Sequence, residues 1–343
     1  MQVELTQRQS EVLRLVVEEY VATGQPVASK GLVERESLGV SPSLVRSELA
    51  ELERLELLTH PHTSAGRVPT ERGYRYYVDR LLERLEPRPP SFPVHGEAGR
   101  NDMEVVLQST TDALSELTRL LALVSAPALE SSTVRRFEVL LLQPDVVMTV
   151  LITSTGSVSK RLFAFESPVD PGLVDWAGAY LNDQIVGTRL GSQLMRQRLE
   201  DPTLGPLERA FLAVLRAALE QPEAEEQRVF VGGTAGLLDD MRADELRAFR
   251  GLLELVERRR MLLDVVFGAL DPRRPFVRVG DELGNPALHS LALVGATYGL
   301  TNRTLGAVSL FGPLRMDYEL AIRSVRSAAS ELSRFSEEVF EAD

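Results

Sequence analysis

The segment 41–54, SPSLVRSELAELER, combines a helical pattern with a row of small polar side chains. At 100° per residue its apolar residues fall on one side, while Ser43, Arg46 and Ser47 fall on the other. Hydroxyl and guanidinium groups hydrogen-bond to base edges and phosphates, and small side chains let a helix sit deep in a major groove. Ser41 is placed to cap the helix, whose free N–H groups attract phosphates. The pattern predicts a helix that reads DNA, with Arg46 as the guanine contact.

A hairpin is predicted directly after this helix. In residues 59–70, THPHTSAGRVPT, a turn is favoured at 64–66, between two short extended pieces. A helix followed by a hairpin is the layout of a winged helix-turn-helix. Five arginines against three carboxylates between His60 and Arg84 place positive charge where a DNA backbone would pass. The residues predicted to hold phosphates, or to flank those that do, are Ser29, Lys30, Ser41, His62, Ser64, Arg67, Arg72 and Arg75.

The overall charge argues the other way. The chain of 343 residues has a formal net charge of −12, and residues 1–86 carry 11 Lys and Arg against 14 Asp and Glu. Because binding to DNA phosphates depends on positive charge, any DNA contact must use a local cluster of basic residues. The alternative is that the first domain contacts another protein.

Other chemistries have little support in the sequence. No cysteine is present, which excludes disulfides, thiolate metal sites and thiol nucleophiles. Of the four histidines, His60 and His62 are close together, but no third ligand lies near them in the sequence. The glycine-rich run at 232–236 follows a predicted strand but lacks the spacing and the lysine of a phosphate-binding loop. We therefore predict neither an enzyme nor a protein with a metal or a cofactor.

The elements that must position the polar residues fall into separate parts. A proline-rich stretch at 86–100 divides a helical N-terminal block from the remainder. Alternating runs at 135–166 and 275–313 predict strands, which we expect to form one antiparallel sheet with helices at both ends of the segment covering one face. The fold class is α+β. The predicted division is residues 1–86 for the DNA-binding domain, 87–102 for a linker, 103–186 with 271–343 for the sheet domain, and 187–270 for an inserted, mainly helical domain.

Hydropathy also bears on location. No apolar run approaches the ~20 residues that span a bilayer. The first residues lack the apolar stretch of a signal peptide. We therefore predict no membrane contact and a cytoplasmic protein.

Long stretches of the chain resemble one known family. The run YVATGQPVASKGLVERESLGVSPSLVRSELAELERLELLTHPHTSAGRVPTERGYRYYVD is similar to the N-terminal domain of HrcA, the bacterial heat-inducible transcription repressor. Its part PHTSAGRVPTERGYRYYVD is highly specific to that family. The likeness continues in FVGGTAGLLDD, VRVGDELG and LGAVSLFGPLRMDYELAI, so it covers nearly the whole chain.

The resemblance implies both a fold and a function. It implies a winged helix-turn-helix domain, a GAF-like antiparallel sheet domain and an inserted dimerisation domain, for which residues 187–270 are the candidate. It implies a homodimer that binds double-stranded DNA at an inverted-repeat operator of the CIRCE type, upstream of chaperone operons. Repression is then lost on heating, and a GroEL-type chaperonin is the partner that keeps the repressor competent.

The recognition helix departs from the family pattern at two positions. Arg46 keeps the family's arginine, whereas Ser47 stands where asparagine is usual and Leu44 where threonine is usual. Asparagine reads adenine with two hydrogen bonds and serine discriminates less, so we expect an operator that differs at one or two base pairs. Two rival functions remain: a ligand-gated regulator that senses a metabolite through its GAF-like domain, and a catalytic domain attached to a protein-contact module.

Overall fold

The structure, a computed structural model, describes residues 4–35, 41–61, 66–84, 92, 103–127, 132–154, 158–220, 229–243, 245–268, 275–301 and 303–340. Its first helix, α1 (Gln7–Thr23), begins at a capping box: the Gln9 N–H donates to the Thr6 Oγ at 3.2 Å, and the Thr6 N–H donates to the Gln9 Oε1 at 3.0 Å. The helix ends at Gly24, whose φ of +64° is a conformation that glycine adopts without strain. Thr6 and Gly24 therefore define the two ends of α1.

The helix with the predicted DNA-reading face is α3 (Pro42–Arg54), which follows the short helix α2 (Ser29–Arg35). Ser41 caps α3, because the Leu44 N–H donates to the Ser41 Oγ at 3.3 Å. The residues predicted to face inward are buried: Val45, Leu49 and Leu52. α3 packs this apolar side against α1 and leaves its polar side outward.

A short hairpin follows α3. Its strands β1 (Leu58–Thr59) and β2 (Val68–Pro69) are antiparallel, and the turn residues 62–65 lie outside the described residues. The next helix, α4 (Glu71–Glu83), passes so close to the hairpin that a Cβ on Gly73 would lie 2.1 Å from the Leu57 carbonyl oxygen. α1–α4 and this hairpin form the N-terminal unit, residues 4–84.

The remainder of the chain alternates helices and strands. In chain order they are α5 (Met103–Thr118), β3 (Leu121–Ser125), β4 (Val134–Gln143), β5 (Val146–Thr153), β6 (Val158–Ala164), α6 (Pro171–Ile185), α7 (Gln193–Leu199), α8 (Pro206–Glu220), β7 (Val229–Gly232), α9 (Thr234–Asp240), α10 (Leu246–Glu257), α11 (Arg259–Gly268), β8 (Phe276–Val279), β9 (Leu291–Leu300), β10 (Arg303–Pro313) and α12 (Tyr318–Phe340). Among the described residues, no helix is long and apolar enough to cross a membrane.

Five of these strands form one antiparallel sheet, in the order β7-β3-β10-β9-β8. α5 and α12 pack side by side against the sheet, as predicted for the helices at the two ends of this segment. α9, α10 and α11 bury their apolar residues in the same core. We call residues 103–127 together with 229–340 the body. Antiparallel sheets combined with helices confirm the α+β class.

The prediction of one sheet from both blocks of strands is wrong. β4, β5 and β6 form a separate three-stranded antiparallel sheet. One face of this sheet packs on α6 and α8, and Phe137, Val147 and Leu151 are buried in a core of their own. Alternation indicates strands and their near neighbours in sequence, but the choice between two sheets depends on packing far along the chain. Residues 132–220 thus form an inserted unit.

The segment 187–270, which was predicted to be one inserted domain, is instead divided between the inserted unit and the body. α7 and α8 pack with the three-stranded sheet, whereas α9–α11 pack with the body. Phe249 and Leu252 of α10, within the segment predicted to dimerise, are buried in the body. The inserted unit leaves the body after β3 and returns at β7, and these two strands are paired, with Ser125 opposite Val229.

The N-terminal unit packs against the body through α4. The Glu71 carboxylate accepts a hydrogen bond from the Asp281 N–H at 2.8 Å. One turn further along α4, the Arg75 guanidinium donates to the Val277 carbonyl oxygen at 2.8 Å. Buried residues of the N-terminal unit and of the body form one continuous apolar cluster, and α4 contributes buried residues to it.

Three tyrosines lie at the centre of this contact. The rings of Tyr74 and Tyr77 pack on the ring of Tyr318, with centroids 5.9 Å and 6.5 Å away. Burial raises the pKa of all three phenols above the usual value. The Tyr318 hydroxyl donates to the Leu314 carbonyl oxygen at 2.9 Å, but the buried Tyr74 hydroxyl has no hydrogen-bond partner among the described residues.

Candidate nucleic-acid interface

The outward face of α3 carries the residues that the sequence assigns to base reading. Ser43, Arg46 and Ser47 are all exposed, and Ala50 continues the same face one turn on. In the first two turns of this face, Arg46 is the largest exposed side chain. The structure therefore brings the three predicted base-reading residues together on one open surface.

The acidic residues of the N-terminal unit are largely paired within it. On α3 itself, Glu51 pairs with Arg54 at 2.6 Å, and this guanidinium holds the pKa of the Glu51 carboxyl below its usual value. Glu53 pairs with Arg67 at 3.0 Å. Arg46, by contrast, makes no ion pair with any described residue. The net negative charge of residues 1–86 therefore does not describe the first turns of the outward face of α3, where the exposed charged residue is Arg46.

Arg67 has a supporting position in the hairpin. Its backbone N–H and carbonyl both hydrogen-bond to Val27 at 2.8 Å, and its side chain is mostly buried. Its guanidinium contacts Glu53 at 3.0 Å and the His60 Nδ1 at 3.1 Å. The His60 Nε2 lies 3.0 Å from the same Glu53 carboxylate. This triad fastens the hairpin to the C-terminal end of α3.

The sequence does not reveal the triad in advance. Its members are separated along the chain. A histidine and an arginine in a predicted hairpin are equally compatible with two phosphate contacts. The partners become evident only when the hairpin folds back on α3. Two other predicted hairpin contacts, His62 and Ser64, lie outside the described residues.

The remaining predicted phosphate contacts lie in three places. Ser29 and Lys30 begin α2, where Ser29 is half-buried and Lys30 is exposed. Arg72 is exposed near the hairpin and pairs with Glu56. Arg75 faces the body instead, so the structure does not bring it together with the face of α3.

The glycine-rich run at 232–236 has a packing explanation. Gly233 has φ +85°, and a Cβ at this position would lie 2.3 Å from the Leu120 carbonyl oxygen. A Cβ on Gly232 would lie 3.2 Å from the Thr111 side chain. These glycines let β7 and α9 approach α5 and β3 closely. Within the described ranges, no three His, Asp or Glu side chains come together as a metal site requires.

Comparison with known proteins gives consistent results over almost the full length. Residues 104–322 match the family model described as HrcA protein C terminal domain. The chain is 38% identical over 335 residues to the heat-inducible transcription repressor HrcA of Parafrankia sp. (strain EAN1pec), covering 95% of this chain and 97% of that protein. It is 35% identical over 338 residues to the repressor of the same name from Thermobifida fusca (strain YX), covering 95% of each.

One solved structure is similar in fold. It is a crystal structure of a hypothetical protein at 2.2 Å resolution, with a TM-score of 0.67 and 24% sequence identity. The match covers 98% of this chain and 100% of that one. At this identity the likeness concerns the arrangement of helices and strands alone.

Proposed function

Because the chain belongs to the HrcA family of heat-inducible transcription repressors, we propose that it represses transcription by reading an inverted-repeat operator of the CIRCE type. The single observation that carries the proposal is the exposed, small and polar face of α3, whose Arg46 makes no ion pair within the described part of the chain. The relatives are named repressors rather than enzymes. The arrangement of α1–α3 and the hairpin fits a winged helix-turn-helix, and the body fits a GAF-like domain.

We propose that α3 enters the major groove with Arg46 contacting a guanine. A good two-bond contact of this kind is worth about 1–3 kcal/mol of discrimination between base pairs. Ser43 and Ser47 would lie beside it. Leu44 is half-buried, so of the two departures from the family pattern Ser47 is the one that changes base reading. Ser29, Lys30 and the cap of α3 would hold phosphates.

The hairpin arginines receive different roles in this proposal. Arg67 supports the hairpin from behind through Glu53, so it orients phosphate contacts rather than making one. Arg72 is exposed beside the hairpin and exchanges its exposed partner, Glu56, for phosphate at little cost. Arg75 holds the body and drops out of the DNA contacts.

The regulatory context follows the family. We propose that the operators regulated are those of chaperone operons, that heating removes repression, and that a GroEL-type chaperonin keeps the chain competent. A repressor acts on the chromosome, so we assign the protein to the cytoplasm. No feature of the described residues favours ligand gating or catalysis over this reading.

Reading an inverted repeat requires two copies, and the inserted unit offers a surface for pairing them. The face of its sheet turned away from α6 and α8 carries exposed apolar side chains on all three strands. In one row of the register Leu140 lies beside Met148, which lies beside Leu162. Leu140 is 40% exposed and Leu162 63% exposed. We propose that this open sheet face is the homodimer interface, instead of the segment 187–270.

Three charged residues lie on this open sheet face: Arg136 and Glu138, which pair with each other, and Lys160. Glu138 on β4 and Lys160 on β6 flank Val150 in another row of the register. A two-fold axis parallel to the strands places β4 of one copy over β6 of the other, so each Glu138 meets a Lys160. An axis across the strands would bring like charges together.

The dimer surface is tested by one substitution and a matched control. Leu162→Glu places a charge on the open sheet face, and we expect a monomer in analytical ultracentrifugation. Leu207→Glu is the control, since Leu207 is 68% exposed on α8, on the helical side of the same unit. A Leu162→Glu protein that remains as dimeric as the control would overturn this surface.

The DNA-binding proposal is tested by titrating a fluorescent duplex carrying the inverted repeat, and a scrambled duplex, at physiological salt with and without chaperonin. We expect specific binding to exceed non-specific binding by about 10³-fold or more. Arg46→Ala should lower this ratio by about 5–150-fold, the equivalent of 1–3 kcal/mol. Arg54→Ala is the control, because Arg54 is exposed on the same helix and pairs with Glu51. Equal ratios for the two variants would refute the role of Arg46.

A further inference from the structure

One side chain of the body reaches into the N-terminal unit at the end of α1. Arg242, in the connection between α9 and α10, donates from its Nη1 to the Tyr20 hydroxyl at 3.0 Å. Its Nη2 donates to the Gly24 carbonyl oxygen. The guanidinium also lies over the Tyr20 ring, 5.5 Å from the centroid. A residue more than 200 positions along the chain thus satisfies the C-terminal end of the first helix.

The contact of Arg242 lies where it can affect the position of the DNA-reading elements. Gly24 ends α1, and only two residues separate it from Val27, which pairs with Arg67 of the hairpin. Ser29 then begins α2, which packs on α3. The turn that Arg242 holds therefore leads into α2 and into Val27, the residue that pairs with the hairpin.

The connection that carries Arg242 is itself anchored to the body. The Arg242 backbone N–H donates to the Glu245 Oε2 at 2.8 Å. Glu245 is buried and accepts two hydrogen bonds from Arg315, each of 3.1 Å. The guanidinium of Arg242 therefore extends from a fixed base, so a movement of the body is transmitted to the turn at Gly24.

Arg242 contacts α1, whereas Glu71 and Arg75 attach the N-terminal unit to the body through α4. Contacts through both α1 and α4 restrain the rotation of the N-terminal unit on the body more than contacts through α4 alone. In a dimer that reads an inverted repeat, this rotation changes the separation of the two reading helices.

We propose that Arg242 is a positioning residue for DNA reading. It sets the angle of the N-terminal unit on the body and thereby the spacing between half-sites that the dimer accepts. The inference rests on the proposed function, since it presumes that α3 reads DNA and that two copies pair. Arg242 itself makes no contact with DNA in this scheme.

The test measures operator spacing with the full-length chain. Three sets of duplexes are titrated: a single half-site, the inverted repeat, and inverted repeats with the spacer one or two base pairs shorter or longer. Each added base pair moves the half-sites apart by about 3.4 Å. Arg242→Met removes both hydrogen bonds while keeping an unbranched side chain. Arg250→Met is the control, because Arg250 is exposed on α10.

We expect Arg242→Met to bind the single half-site as the natural protein does. Its affinity for the inverted repeat should fall about tenfold, because the second half-site is no longer presented at a high effective concentration. Its preference for one spacer length should flatten. Tyr20→Phe, which removes the hydroxyl but keeps the ring, should flatten it in the same direction and to a smaller extent.

Two results would overturn the proposal. One is an unchanged spacer preference in Arg242→Met, when the natural protein prefers one spacer. The other is a half-site affinity that falls as much as the affinity for the inverted repeat, since Arg242 would then support the fold of the N-terminal unit rather than its angle. A natural protein that binds operator and scrambled DNA alike is a different failure, because it removes the proposed function itself.

Discussion

Replacing Glu245 by glutamine should destabilise the body strongly. The Glu245 carboxylate accepts from the Nε and the Nη2 of Arg315 at 3.1 Å each, and from the Arg242 N–H at 2.8 Å. The side chains of Glu245 and Arg315 are only 10% and 18% exposed. Glu245→Gln removes the negative charge, and its amide NH₂ faces the Arg315 guanidinium in either orientation, so at least one donor loses its acceptor.

The magnitude follows from burial. Removing one partner of a buried ion pair costs about 3–5 kcal/mol. Since both side chains keep some contact with solvent, we expect about 3 kcal/mol. A domain of 150–250 residues loses roughly 2–4 °C of Tm per kcal/mol, so the Tm should fall by about 6–12 °C.

Differential scanning calorimetry measures this shift, with Glu319→Gln as the matched control. Glu319 pairs with Arg323 at 2.6 Å on α12, but both side chains are more than half exposed. An exposed pair contributes about 0–1 kcal/mol, so the control should lose at most about 4 °C. Equal losses in the two variants would refute the reasoning. The double variant Glu245→Leu with Arg315→Met should recover most of the loss, because it leaves no buried charge unpaired.

Three further outcomes are expected. Tyr74→Phe should leave the free energy of unfolding in urea unchanged or raise it by up to about 1 kcal/mol, because the hydroxyl it removes is buried without a partner; a clear loss would mean that the hydroxyl is hydrogen-bonded in solution. Gly73→Ala should lower it by about 2 kcal/mol or more and weaken operator binding, because the new Cβ would lie 2.1 Å from the Leu57 carbonyl oxygen. Burial raises the pKa of Glu71 above 4.5, an effect that the Asp281 N–H partly offsets. The ionised carboxylate is thus disfavoured in the folded state, so stability from this group is present below pH 4.5 and is lost as pH rises through the raised pKa. Tm measured between pH 4 and pH 7 should therefore fall relative to Glu71→Gln as pH rises, and a constant difference would contradict this.

Local patterns predicted local structure well. The capping box of α1, the cap of α3 and the burial of Val45, Leu49 and Leu52 all depend on residues within a few positions of one another. The exposed position of Arg46 follows from the same helical spacing. Interactions between near neighbours are encoded in the order of residues itself, so a single sequence is enough to derive them.

Distant pairings were beyond the same reasoning. The alternation in 135–166 indicated strands correctly but gave no reason why β4–β6 should close a sheet of their own. Arg67 and Arg75 look alike as cations beside a predicted hairpin, yet one lies against Glu53 and the other against the body. Arg242 drew no attention, since its partners on α1 are more than 200 residues away.

The way the inserted unit joins the body has a consequence for how the molecule can be altered. Ser125 and Val229 are paired across neighbouring antiparallel strands, so the chain leaves and re-enters the sheet at one place. Topologically, the whole inserted unit is an oversized loop of the hairpin formed by β3 and β7. A two-residue turn could join these strands instead. The body would then keep its sheet, lose a long loop closure and fold with more local contacts. In such a shortened chain, DNA binding by a single copy could be measured separately from the dimerisation of two copies.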